Sequence, residues 1–226
     1  MEDTSLFPKA TRELAESKAA LAPDIIEHWR NFSKTIFKEG ALSEKDKQLI
    51  AVAAGHVTQC PYCIQVHTKV ALRKGASKEE IMEAIWIAAA GRAKSAYSHA
   101  GISVAQMEED DGGEKEEQLY VEATPEMVEK KAKLSSANVE AWKSFVNAVF
   151  KAGALSEKTK QLIALGVSHI TQCAYCIKEH TSNAKQKGAT NEEMMEAIWV
   201  AAEMCAGGAY AHGSIAMAEM DRFHSK

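Results

Sequence analysis

The sequence contains no apolar run of the roughly 18 residues that would span a bilayer. Its opening, MEDTSLFPKATRELAESK, is polar and lacks the basic and then apolar regions of a secretory leader. Positive charge is not in excess either. The 27 Lys and Arg are outnumbered by 31 Asp and Glu, giving a net charge of -4. Without a basic footprint, nucleic acid is a poor partner. Sustained period-two alternation between turn signals is also missing, which argues against a sheet. These absences leave a soluble, cytoplasmic globular protein with neither nucleic acid nor membrane as partner. Its 226 residues, 46% hydrophobic and 26% charged, suffice for one large domain or two small ones.

What is present is written twice. The stretch GALSEKDKQLIAVAAGHVTQCPYCIQVHTKVALRKGASKEEIMEAIW, from Gly40, returns from Gly153 at a constant offset of 113 residues. Over the 60 residues that follow each glycine, roughly 37 positions are identical. Trp29, Phe32 and Phe37 map onto Trp142, Phe145 and Phe150, so the copies are read as residues 21–106 and 134–226. Residues 1–20 read as a helical extension and 107–133 as a linker. Within that linker, EEDDGGEKEEQ carries seven acidic side chains and two glycines, a composition that stays solvated.

The local signals predict an all-α fold of two tandem helical domains. PDIIEHWRNFSKTIFKEG carries an apolar face closed by Gly40. Ser43 with Asp46, Ser77 with Glu80 and Thr190 with Glu193 have the spacing of capping boxes. A further helix is expected from about Gln59 to Lys74.

Four of the five cysteines lie in HVTQCPYCIQVH and HITQCAYCIKEH. In a reducing compartment C-x-x-C points to redox or metal chemistry. His56, Cys60, Cys63 and His67 form one stripe on a continuous helix. Four such ligands would extend roughly 16 Å along the axis, too far to surround one ion without a break before Cys60. A packed core stripe is the other alternative. The redox reading places Cys60 and Cys63 in the first turn of a helix, where free amides and the macrodipole favour a thiolate. Their spacing suits a Cys60–Cys63 disulfide, and Cys173–Cys176 in the second copy. His67 and His180, one turn on, would exchange the proton.

With EAIWVAAEMCAGGAYAHG downstream, these motifs resemble the carboxymuconolactone decarboxylase superfamily, in particular its alkyl hydroperoxidase D-like (AhpD-like) thiol branch. The resemblance covers about three quarters of the chain. It implies an all-α, self-associating enzyme, a peroxiredoxin-type alkylhydroperoxidase or disulfide oxidoreductase. Its substrate would be a peroxide or small disulfide, with a dithiol protein as electron donor and no cofactor beyond the redox-active disulfides. If single-copy relatives form six-domain rings, this chain would form a trimer, with a dimer as the rival. The resemblance assigns attack to Cys63 and Cys176, resolution to Cys60 and Cys173, and proton relay to His67 and His180. A lactone-decarboxylating lyase and a zinc- or partner-binding scaffold are the competing functions.

One departure stands out. The relay glutamate of that branch is replaced by Gln48 and Gln161. His56 and His169, or Glu83 and Glu196, are the candidate substitutes. Tyr62 and Tyr175 are candidate pocket residues, and His99 and His212 end the long helices within reach of a site. Cys205, with Arg92 at the matching position, reads as a buried free thiol.

Overall fold

The structure, a computed structural model, describes residues 7–107 and 120–224, all helix and connecting turns with no strand among them. The first copy comprises α1 (Arg12–Ala20), α2 (Pro23–Ile36), α3 (Glu44–Thr58), α4 (Pro61–Arg73), α5 (Lys78–Ser98) and α6 (Ala100–Met107). The second comprises α7 (Pro125–Leu134), α8 (Ser136–Phe150), α9 (Glu157–Ile170), α10 (Ala174–Gln186) and α11 (Asn191–His224). The long helix is interrupted at His99 in the first copy and continuous in the second.

Local chemistry sets most of these ends. Ser77 and Glu80 close a reciprocal capping box, as do Thr190 and Glu193. At Ser43 the box is only half closed. The Ser43 hydroxyl takes the Asp46 amide, but the shorter Asp46 side chain folds onto that hydroxyl. The helix expected from Gln59 begins only at Pro61, because Gln59 turns left-handed at φ 56. Gln172 does the same at φ 55. The stripe from His56 to His67 is thereby broken between its first two members.

The segment expected to be linker needs correction at its C-terminal end. Residues 125–134 form α7, the counterpart of α1 at the 113-residue offset, and the acidic residues 108–118 lie outside the described residues. Both helices bury little apolar surface, so hydrophobic periodicity gives them a weak signal.

The centre is made by α3 and α9, buried along residues 47–55 and 160–168 and packed on each other. The two long helices, α5 and α11, each lie across both. One core containing Leu49, Ile50, Ile87, Ile163, Leu165 and Val200 therefore runs through both copies.

Glu83 and Glu196 lock this arrangement and do not serve the dithiols. Glu83 of α5 reaches the loop before α9, accepting the Ala154 and Leu155 amides at 3.0 and 2.9 Å. It also pairs with Lys160 at 3.1 Å. Glu196 of α11 repeats the bracket on the first copy, taking the Ala41 and Leu42 amides at 3.0 and 2.8 Å and pairing with Lys47 at 3.0 Å. Both lysines are almost wholly buried, with 3% exposure for Lys47 and 2% for Lys160. Backbone carbonyls complete their coordination: Lys38 O for Lys47, and Val149 O and Lys151 O for Lys160. A glycine lies beneath each carboxylate, and a Cβ on Gly40 or Gly153 would stand 2.1 Å from its oxygen and displace it. Burial opposes ionisation of both glutamates. The amides and the ammonium outweigh it and hold the carboxyls below their ordinary value.

Glu83→Ala strands the Lys160 ammonium in the core and is expected to destabilise the chain by about 3 kcal/mol in denaturant titration. Glu196→Ala should behave alike through Lys47. A loss below about 1 kcal/mol for both would contradict the clamp.

Candidate functional site

Each C-x-x-C straddles a helix start. Cys60 is the N-cap of α4, with Pro61 at the first helical position, and its Sγ accepts the Cys63 amide at 3.3 Å. The Cys63 thiol also points at Cys60, with the sulfurs 2.7 Å apart. Cys173 caps α10 in the same way and accepts the Cys176 amide at 3.4 Å. The sulfur that receives the helix N-terminus is thus the first of each pair, whereas the sequence reading placed both within the first turn. All four sulfurs are buried. Burial, reinforced by the contact with Cys60, raises the Cys63 thiol far above its ordinary range. Burial and the bond with Cys173, partly offset by Ser98, push Cys176 up to about 12.

The histidines expected to move the proton are held by the residues that replace the relay glutamate. The Nδ1 of His67 lies 2.8 Å from Gln48 Oε1, and that of His180 lies 2.8 Å from Gln161 Oε1. Since the amide oxygen only accepts, Nδ1 carries the proton and Nε2 keeps its lone pair. The rings rest on Phe37 and Phe150, with centroids 5.2 and 5.5 Å away. Burial lowers both histidines to about 4, so each is a neutral base at physiological pH.

The remaining expected residues divide. His56 and His169 donate Nδ1–H to Val52 O and Leu165 O of their own helices, at 2.8 and 2.9 Å, which holds each ring against the helix that carries it. Tyr62 donates its hydroxyl to Pro8 O at 2.9 Å, and Tyr175 to Val121 O. They fasten the segments ahead of α1 and α7 over the sites. His212 stacks edge-on with Phe7 and Tyr62, and His99 with Tyr120 and Tyr175. Cys205 is exposed, not buried.

Those histidine contacts reveal a crossover. Each dithiol is covered by the long helix of the other copy. A Cβ on Gly208 of α11 would lie 4.0 Å from Cys63 Sγ, and Ser98 of α5 has its Oγ 3.7 Å from Cys176 Sγ. No motif in either copy signals this; it arises only when α5 and α11 cross.

Through the crossover the two sites receive different groups. Over the first, α11 brings Glu203, Gly207 and Ala211; the matching positions of α5, over the second, are Ala90, Lys94 and Ser98. Glu203 was missed by sequence reasoning, as it lies off the repeated motifs. It is 4% exposed, and burial raises its carboxyl despite the hydrogen bond to Ser33. A cavity of about 310 Å³ reaches the first site, with Cys63, His67, Tyr62, Trp29 and Glu203 on its walls. Over the second site a wider cleft ends at Tyr175, Ser98 and the paired Lys94 and Glu179. Cys176 and His180 lie below it, each 2% exposed.

Three comparisons bear on this architecture. Residues 23–106 and 137–219 both match the carboxymuconolactone decarboxylase family. A Paracoccus denitrificans protein named "Uncharacterized protein 4 in cox locus" is 51% identical over 112 residues, covering 50% of this chain and 99% of that protein. A crystal structure from Burkholderia xenovorans, of a "putative gamma-carboxymuconolactone decarboxylase subunit", superposes with a TM-score of 0.71 at 21% identity, over 98% of this chain and 94% of that one. At that identity the likeness is one of fold. No described helix is long and apolar enough to cross a membrane.

The histidine environment gives a pH dependence. Folded values near 4, against 6.5 for the free side chain, mean that the unfolded chain binds these protons first. Stability should therefore fall as pH drops from about 6.5 towards 4, by up to about 3 kcal/mol for each histidine. Gln48→Glu should raise the His67 pKa, readable by NMR, and shrink that loss, whose onset near 6.5 is set by the unfolded chain. An unshifted His67 titration would contradict the contact.

Proposed function

The chain belongs to the carboxymuconolactone decarboxylase family through both of its copies, and we propose that it acts as an AhpD-like dithiol oxidoreductase reducing hydroperoxides. The observation that carries this reading is the pair of sulfurs 2.7 Å apart at the N-terminus of α4, with a neutral histidine on the same cavity wall. No metal or organic cofactor enters the scheme. Among the described residues, no group of three or more His, Cys, Asp or Glu converges as a metal site would.

In this scheme His67 takes the Cys63 proton at its free Nε2, and the thiolate attacks the distal oxygen of a hydroperoxide. The O–O bond breaks, an alcohol leaves, and Cys63 is left as a sulfenic acid. Cys60 is in place to attack that sulfur, expelling water and closing the Cys60–Cys63 disulfide. An external dithiol protein restores the pair by exchange. Gln48 does not carry a proton; it holds the His67 ring in the tautomer that leaves Nε2 basic. Because burial disfavours the thiolate, the resting dithiol is slow to ionise and His67 must supply the base. Site residues Cys173, Cys176 and His180 would act alike in the second copy, beneath their cover.

A second reading has support too. The Burkholderia xenovorans structure bears a lyase name, and a neutral histidine facing a raised carboxyl suits proton transfers on a lactone acid. Such a lyase makes no use of the sulfurs.

Peroxide treatment of the reduced chain should remove two titratable thiols and two mass units per reacting copy. Cys63→Ser should abolish that change in the first copy, and His67→Ala should slow it by at least tenfold. Retained thiols under excess peroxide, together with lactone decarboxylation that survives Cys63→Ser, would favour the lyase.

A further inference from the structure

Duplication usually yields two equal sites, yet here the crossover of α5 and α11 has left them unequal in the group that matters for proton transfer. Among the described residues, only the first site has a carboxyl buried in the cover that the other copy supplies; over the second, Glu179 is half exposed and paired with Lys94. Glu203 is buried, lines the same cavity as Cys63 and His67, and lies near enough to Cys63 to disfavour its ionisation. Its counterpart over the second site is Ala90, which is fully buried and offers no proton.

The surroundings of Glu203 favour the acid form. Lys18 of α1 is the cation on the cavity wall. It is committed to Tyr210 O at 3.3 Å, Ser214 Oγ at 2.9 Å and the Tyr210 ring. From α4 the titratable groups are Tyr62, Cys63 and His67, the last two neutral at physiological pH. Helix α2 contributes Trp29 and Ser33, and the residue that caps it is Phe37, none of them charged. No ion pair neutralises Glu203 among the described residues, and burial raises its carboxyl above the ordinary value despite the hydrogen bond from Ser33. Trp29 adds an unpartnered donor to the packing behind this wall. Trp29 Nε1 is a buried donor with no hydrogen-bond partner among the described residues, and Trp29 lines this cavity. Buried donors of this kind are normally satisfied.

We propose that Glu203 is the catalytic acid of the first site alone, protonating the alkoxide that leaves when Cys63 attacks a neutral hydroperoxide bound against Trp29, Phe37 and Val66. This proposal rests on the dithiol reading above. The proton balance closes within the site. His67 takes the proton of the Cys63 thiol, and sulfur bonds to the distal oxygen as the O–O bond breaks. Glu203 gives its proton to the alkoxide, releasing the alcohol, and recovers one from the imidazolium of His67. The net change is thiol plus hydroperoxide to sulfenic acid plus alcohol. Lacking a buried carboxyl, the second site would draw that proton from its cleft, which is edged by Lys94, Glu179 and Ser98.

The test uses two full-length chains, one with Cys173→Ser and Cys176→Ser to report the first site, the other with Cys60→Ser and Cys63→Ser to report the second. Dithiol oxidation is followed by intact mass with cumene hydroperoxide and with peracetic acid, whose leaving acetate needs no proton. Glu203→Gln, which keeps the shape of the protonated carboxyl, should slow cumene hydroperoxide at the first site at least tenfold. It should change peracetic acid less than twofold there and leave the second site unaltered. Equal slowing with both oxidants would show a structural role and overturn the assignment, as would an unchanged rate with cumene hydroperoxide. If Glu203→Gln folds poorly, infrared spectroscopy of the reporter chain decides the protonation. A carboxyl C=O band that is present at neutral pH and shifted in Glu203→Asp supports it, and no band overturns it. A parent chain whose thiols resist both oxidants overturns the dithiol reading itself. A parent that cycles while Glu203→Gln has no selective effect overturns only the role of Glu203.

Discussion

The two copies are held in register by a reciprocal pair of buried ion pairs. Lys47 and Lys160 lose nearly all their hydration, which only close anionic partners and carbonyls can offset. In each case the anion comes from the long helix of the other copy. Neither copy alone satisfies its lysine, so the crossing of α5 and α11 over α3 and α9 is set by charge as much as by apolar packing. The carboxylates also cap free amides at the loops preceding α3 and α9. Those loops orient the helices bearing Gln48 and Gln161, which in turn hold the histidines.

From that crossing follows the composition of the dithiol sites. Cysteines, histidine and glutamine come from one copy; the cover comes from the other. Copy-to-copy identity is high around the sulfurs and drops along the covering helices, where Glu203 corresponds to Ala90, Gly207 to Lys94 and Ala211 to Ser98. A duplicated chain can thus keep its reactive motif in both halves while the environment of each diverges. The divergence is one of electrostatics and access. One site opens on an apolar cavity with a raised carboxyl; the other is roofed beneath a charged cleft.

The same burial that defines the site also restrains it. Thiols raised by desolvation are poor nucleophiles until a base acts on them, and a histidine lowered by desolvation is a weak base. The pairing makes sense if a bound substrate and a nearby acid move charge together in one step, without an ion persisting in the apolar cavity. Gln48 fits this logic. A carboxylate in its place would raise the histidine and favour imidazolium in the resting state, whereas an amide orients the ring without charging it.

What the sequence by itself determined is local or repeated: the all-α fold, the duplication, the Ser77 and Thr190 boxes, and the C-x-x-C-x3-H spacing that sets sulfurs and histidine on one helix start. Each depends on residues within a few turns of one another, where covalent geometry leaves little choice. The fate of His56 and of Glu83 was not readable in this way. Either could point towards the sulfurs by spacing, yet the turn at Gln59 leaves His56 bonded to its own helix, and packing commits Glu83 to Lys160. Helices α1 and α7 were weakly signalled because few of their residues are apolar. Only the tertiary structure decided that Lys18 meets Tyr210 across 192 residues of chain, and that Glu203 faces Cys63. Such contacts depend on how two long helices cross, and the crossing is fixed by buried charge distributed over both copies.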